Sequence, residues 1–277
     1  MCGIATIAIG RSARGRIPYE KLRGMTSEIL VELSSRGQDA SGIAVINDDD
    51  VHVFKKPLRP RRLVVRPRFK DILKKIGPKT NFIMLHSRAA SVGGNEDNYN
   101  NHPIIADPIV GIHNGTLYND DKLFRSFRKH FKPEGSVDSE IIFRMLNMYL
   151  NRGLCPKQAM QMVSKQLIGA FTGAAVDMRR TNQMLVFKFG RELAVLNLPY
   201  YDTLITVSEA RFYDHARDKM KLKVKDKILY PKEETGFLID VNAGRITEQL
   251  IDFNLPVQEE ARRSTLRWNN WVHFSGF

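Results

Sequence analysis

Two cysteines, two tryptophans and no long apolar run stand out first in this 277-residue chain. Cys2 and Cys155 are far apart, with no CxxC and no Cys/His ligand spacing, so a disulfide framework or zinc site is not expected and a reducing cytoplasm is the natural setting. No stretch approaches the roughly 18 consecutive apolar residues of a membrane span. The short apolar run at the N-terminus has its positive charge, Arg11, after it and not before it, which argues against a secretory signal. Internal repeats and low-complexity tracts are also missing.

What is present is a globular composition, 43% hydrophobic and 9% aromatic, with a net charge of +13. Most of that excess belongs to residues 55–79, where eleven basic residues face one acid, Asp71. Pro57, Pro60 and Pro67 punctuate this segment. It leads into a predicted short helix whose Phe69, Ile72, Leu73 and Ile76 share one face. Its other face is basic, a solvated surface or a dock for an acidic partner or nucleic acid. No aromatic platform or nucleic-acid motif accompanies it.

Periodicity predicts a buried strand over residues 2–10, a helix over 18–34 and a hairpin at Gly42–Ile46 and Val51–Phe54. Further strands are expected at 81–86 and 109–113, the latter ending in a turn at Asn114-Gly115. Helices follow at 137–151 and 156–168, then strands at 170–177, 183–189, 193–198 and 204–207, a helix over 208–219 and short strands to about 250. Strands and helices come in blocks, which favours an α+β fold with antiparallel sheets.

Cys2 carries the sharpest chemical signal. Removal of Met1 would put a thiol and its own α-amine on one residue. That amine has an unperturbed pKa of about 7.7–8.0 and can take a proton near neutrality. Four further motifs follow in order: Arg36-Gly37-Gln38-Asp39-Ala40-Ser41-Gly42, His86-Ser87-Arg88-Ala89-Ala90-Ser91, His113-Asn114-Gly115 and Ser136-Val137-Asp138-Ser139-Glu140. Gly169-Ala170-Phe171 and Val207-Ser208-Glu209-Ala210 extend the set.

Together these resemble the class II, N-terminal-nucleophile glutamine amidotransferases. The resemblance covers roughly residues 2–250, leaving 251–277 as a C-terminal tail. It implies a four-layer αββα sandwich of the N-terminal-nucleophile hydrolase type. It further implies that Cys2 attacks the side-chain amide of L-glutamine, with Asn114 and Gly115 as oxyanion donors. Arg88 would take the substrate carboxylate and Asp138 its amine, with Arg36, Gly37 and Ser91 completing the substrate site. Asp39 would hold its loop together, and His86 and His113 would be structural. The loop 88–101, with Gly93-Gly94 as hinge, is expected to close over substrate. No metal or organic cofactor is required.

Ala89 and Val92 stand where the glucosamine-6-phosphate synthase branch has tryptophan and histidine. The length leaves no room for the acceptor domain usual in the family, so ammonia is expected to pass to a separate acceptor protein. Two alternatives stay open. One keeps the fold but serves as a binding or assembly module through residues 55–79. The other is an N-terminal-nucleophile hydrolase acting on a different amide.

Overall fold

The computed structural model describes residues 1–242, 245–253 and 255. The first half runs β1 (Gly3–Ile9), α1 (Tyr19–Glu32), β2 (Ala40–Asn47), β3 (Val51–Lys56), α2 (Pro60–Leu63), α3 (Pro67–Lys74), β4 (Thr80–Arg88), β5 (Ile104–Ala106) and β6 (Ile109–Leu117). The second half runs α4 (Asp120–Ser126), α5 (Glu140–Asn151), α6 (Pro156–Ser164), β7 (Gly169–Asp177), β8 (Gln183–Lys188), β9 (Ala194–Leu198) and β10 (Thr203–Val207). It ends with α7 (Ala210–Lys219), β11 (Lys227–Leu229), β12 (Thr235–Asp240) and β13 (Thr247–Asp252).

The strands form a seven-stranded sheet, β11-β9-β10-β1-β4-β2-β3, and a six-stranded sheet, β13-β12-β8-β7-β6-β5. The strand pairings are antiparallel throughout both sheets. Three apolar layers hold the molecule together. On the outer face of the first sheet, Leu22, Met25, Ile29 and Leu30 of α1 and Phe212, Tyr213 and Ala216 of α7 pack against Ile7, Ile43 and Ile205. Against the second sheet, Ile141, Met145 and Leu146 of α5 and Met160 and Val163 of α6 cover Phe171 and Leu185. Between the sheets lie Ile4, Ala8, Met84, Val110, Ile112, Ala174 and Val186. This is the α+β, four-layer αββα arrangement.

The period of two explains the layering, because alternate strand residues face opposite sides. Strands β1 and β4 are covered on both faces and are buried along their whole lengths. They therefore read as nearly continuous apolar runs. The basic segment follows the expected amphipathic logic: Phe69, Ile72 and Ile76 enter the outer core while Arg68, Lys70, Lys74 and Lys75 are exposed. Several boundaries move. The helix expected over 137–151 begins at Glu140, and α4 and the short edge strand β5 had no counterpart in the periodicity. The expected tail lies, from residue 256 on, outside the described residues.

Candidate functional site

Strand β1 sits in the middle of its sheet between β10 and β4, so the residue that leads into it is fixed from both sides. The Ile4 amide donates to Ser208 Oγ (2.9 Å) and the Ser208 amide donates to the Ile4 carbonyl (3.0 Å). Arg36, almost buried, donates from Nε to the Cys2 carbonyl (3.0 Å) and from Nη1 to Glu209 Oε1 (2.8 Å). Burial alone would raise the Glu209 carboxyl, but Arg211 and Arg36 hold it below its usual range. Cys2 itself is part-buried, and its Sγ lies 3.6 Å from the Ala89 carbonyl as a weak donor. Burial pushes the thiol up from its ordinary value, so it needs a nearby base to ionise at neutral pH.

The alternation that sends Ile4 and Ala8 between the sheets carries Cys2 to the same side. On β6 the same parity holds for Val110, Ile112 and then Asn114. Asn114 is 1% exposed, and its Nδ2 is buried without a hydrogen-bond partner among the described residues. A turn was expected at Asn114-Gly115; instead β6 runs through it, pairing Asn114 with Thr172 and Gly115 with Phe171 of β7. Local turn preference yields here to a continuous ladder with a long partner strand.

Arg88 ends β4 and is 2% exposed. Its guanidinium donates to Asn101 Oδ1 (3.0 Å) and to the carbonyls of Val92 (2.6 Å) and Gly93 (2.7 Å). Gly93 adopts φ +72°, a left-handed turn that suits glycine and curls the loop back onto the arginine. The loop is further tied by Asn95 Nδ2 to the Asp39 carbonyl (2.9 Å) and by Asn101 Nδ2 to the Asn95 carbonyl (2.7 Å). Asp39 accepts from the Ala90 amide (2.7 Å) and donates its own amide to the Arg88 carbonyl (2.9 Å), so it does hold this loop together. Gly37 packs against the Arg88-Ala89 backbone so closely that a Cβ would overlap it.

Asp138, 3% exposed, accepts from the Leu117 amide (2.7 Å) through Oδ2. It precedes Ser139, which occupies the N-cap of α5, so a helix-capping role for Asp138 does not apply. Cys2, Arg88 and Asp138 interact electrostatically with one another, which puts one thiol, one cation and one anion in a common locality. Ser91 is not part of this cluster by any contact: it is exposed and makes no hydrogen bond among the described residues.

Three histidines surround the site from within. His86 is fully buried, stacked on His102 at 4.1 Å between ring centroids, and its Nε2 meets the His113 carbonyl at 3.0 Å. Burial depresses His86 to about 3 and lowers His102 and His113 as well. Imidazoles held neutral this firmly are poor proton acceptors near pH 7, which fits structural roles. His113 bridges Ser139 Oγ (2.7 Å) and the Ala170 carbonyl (3.2 Å). Sequence reasoning gave no role to Glu209, Ser208 or Asn101. The first two lie in a motif it quoted, whereas nothing in the sequence marks Asn101.

A thiol leading into a central strand, with a buried amide on the facing sheet that has no partner among the described residues, is the arrangement expected of N-terminal-nucleophile hydrolases once Met1 is removed. Comparisons with known proteins narrow that class. The chain is 26% identical over 191 residues to the glutamine–fructose-6-phosphate aminotransferase (isomerizing) of Geobacillus kaustophilus, covering 68% of this chain and 29% of that protein. Against the enzyme of the same name from Staphylococcus aureus (strain Mu50) the identity is 25% over 246 residues, 87% of this chain and 38% of the relative. Against that of Sulfurisphaera tokodaii it is 31% over 182 residues, 64% of this chain and 28% of the relative. The chain therefore spans well under half the length of these relatives.

Among solved structures, glutamine phosphoribosylpyrophosphate amidotransferase from B. subtilis, complexed with ADP and GMP, matches with a TM-score of 0.59 at 16% identity. A structure described as the allosteric regulatory enzyme of purine biosynthesis matches with a TM-score of 0.65 at 18% identity. Each match covers 92% of this chain and 50% of the other, and at such identities the likeness is one of fold. No protein-family model matches the chain. The chain is thus similar in sequence to glutamine-dependent aminotransferases and in fold to a glutamine amidotransferase, the kind of protein that its ordered motifs resemble.

Proposed function

We propose that the chain, once Met1 is removed, hydrolyses the side-chain amide of L-glutamine and delivers the ammonia to a separate acceptor protein. The α-amine of Cys2 takes the thiol proton as sulfur attacks the amide carbon. The C–N bond then breaks, ammonia leaves with that proton, and a thioester remains. Water hydrolyses the thioester to glutamate and frees the thiol. The tetrahedral oxyanion takes hydrogen bonds from the Asn114 side chain and the Gly115 amide. Arg88 receives the substrate carboxylate and Asp138 its ammonium, an assignment that demands a free amino-acid head.

The observation that carries this reading is the buried, unpartnered Nδ2 of Asn114 on the strand face that parity directs toward the Cys2 side. A buried donor left without a protein acceptor costs about 1–3 kcal/mol, a cost that makes sense where an oxygen of the substrate is to be received. The roles of Arg36 and Gly37 in this scheme are to hold the Cys2 carbonyl and the Arg88 backbone, and only indirectly to bind substrate. Ser91 would reach substrate only if the loop 88–101 moved.

The test is the intact mass of the purified protein after incubation with a diazoketone analogue of glutamine. Loss of Met1 together with one adduct on Cys2 is the expected result. A processed chain that stays unmodified, alone and with glutamine-site crowding relieved by loop variants, would count against the glutaminase reading. It would favour a binding or assembly module.

A further inference from the structure

The exposed basic residues of segment 55–79 run along the outer face of the first sheet, from one end of its strands toward the other. In the first sheet, Gly3 pairs with Ser87, Ser87 with Ser41, and Ser41 with Lys56. Lys56 therefore lies in the same row as the residue that follows Cys2, three strands away. At about 4.8 Å per strand that is roughly 14 Å. The chain then turns over this end of the sheet: the Leu58 carbonyl accepts from Ser41 Oγ (2.6 Å), and α2 packs against β2, α1 and the turn 33–35 that leads to Arg36. Lys75, by contrast, lies beside Thr80, the start of β4, whose other end is Arg88. The 8-residue climb from Thr80 to Arg88 corresponds to roughly 27 Å at about 3.4 Å per residue.

Lys56, Arg59, Arg61, Arg62 and Arg66 are all exposed, and none has an acidic partner among the described residues. Val65, in their midst, is 62% exposed. Arginines around an exposed aliphatic residue are the composition of a protein interface, where Arg is enriched and Lys depleted. The segment's one aromatic residue, Phe69, is fully buried, so no base-stacking platform is presented.

We infer that the rim formed by Lys56, Arg59, Arg61, Arg62 and Arg66 is a docking surface for the acidic face of a partner protein, seated at the end of the first sheet where Cys2 leads into β1. This rests on the glutaminase reading in one respect, that the partner consumes the ammonia released there. The docking claim itself is a matter of charge and position.

The probe is fluorescein-labelled poly-L-glutamate, followed by anisotropy at 50 and 150 mM salt, with the full chain. Arg59→Glu/Arg61→Glu/Arg62→Glu tests the rim. Lys70→Glu/Lys74→Glu/Lys75→Glu makes the same charge change on α3. The expected result is at least a tenfold loss of affinity in the rim variant and less than threefold in the α3 variant. Bound probe should also slow alkylation of Cys2 by iodoacetamide at least threefold. Equal losses in both variants, or no binding, would overturn the inference, as would binding that leaves Cys2 alkylation unchanged. Displacement of the probe by a 20-nucleotide single strand at tenfold lower concentration of charge would assign the surface to nucleic acid instead. None of these readouts uses glutamine. A parent protein that binds the probe but hydrolyses no glutamine therefore overturns only the glutaminase reading.

Discussion

Replacing Asn114 with leucine should separate activity from stability. The side chain is 1% exposed and its Nδ2 has no hydrogen-bond partner among the described residues, so the fold holds one buried N–H donor without a protein acceptor. Leucine has a similar size, and the backbone pairing of residue 114 with Thr172 on β7 is untouched by the change. Removing an unsatisfied donor in this way should leave stability unchanged or raise it by about 1–2 kcal/mol. Loss of one oxyanion donor lowers kcat by about 10²–10³, or about 2.7–4 kcal/mol in the barrier. Asn114→Asp keeps the size but turns a donor toward an acceptor, and should lower kcat at least as far. Glutamate release, coupled to a dehydrogenase, and urea denaturation of the same samples measure the two quantities. A leucine variant that keeps more than a third of kcat, or is destabilised by more than about 2 kcal/mol, would refute the reasoning.

The two site arginines should behave differently. Arg36→Met removes the bond to the Cys2 carbonyl and the Glu209 pair, so kcat should fall tenfold or more with KM within threefold; Arg88→Met should raise KM for glutamine by more than tenfold. Gly37→Ala would force a Cβ onto the Arg88-Ala89 backbone, and urea unfolding should show a loss of about 1–3 kcal/mol. His86 stays neutral in the fold down to about pH 3, while an unfolded histidine titrates near 6.5. Between those values the unfolded chain holds the extra proton, so stability rises with pH by about 1.4 kcal/mol per unit from this group. His86→Phe, which can keep the stack on His102, should flatten the acid limb of a stability–pH curve by that slope.

The layers of the molecule were readable because each rests on a short-range rule. Strands covered on both faces, β1 and β4, show as apolar runs, and α1, α3 and α5 show their period through residues such as Leu22, Phe69 and Ile141. The reading failed at Asn114-Gly115, where a dipeptide with strong turn preference is held straight by strand partners 58 and 56 residues away, Thr172 and Phe171. It was also silent on the clasp around Arg88. Two of the three acceptors there are backbone carbonyls, which every residue has, and the third is Asn101, one of several asparagines in that loop. Motif order located the cluster of Cys2, Arg88 and Asp138, whereas Arg36 and Glu209 show their joint work only once both are seen at the start of β1.

The clasp itself has a consequence for selectivity. Val92, Gly93 and Asn101 already take three of the hydrogen bonds that the Arg88 guanidinium can give, so under the proposed role the resting protein contains its own tethered competitor for an incoming carboxylate. A visitor without that carboxylate has nothing to exchange for these bonds and leaves the loop as it stands. One that brings it would compete with those oxygens, and the loop, released from its latch, would then be free to settle elsewhere. On the proposed assignment, affinity for the amino-acid substrate would be reduced by the fraction of time the latch is open, while small amides would be turned away without any residue dedicated to rejecting them.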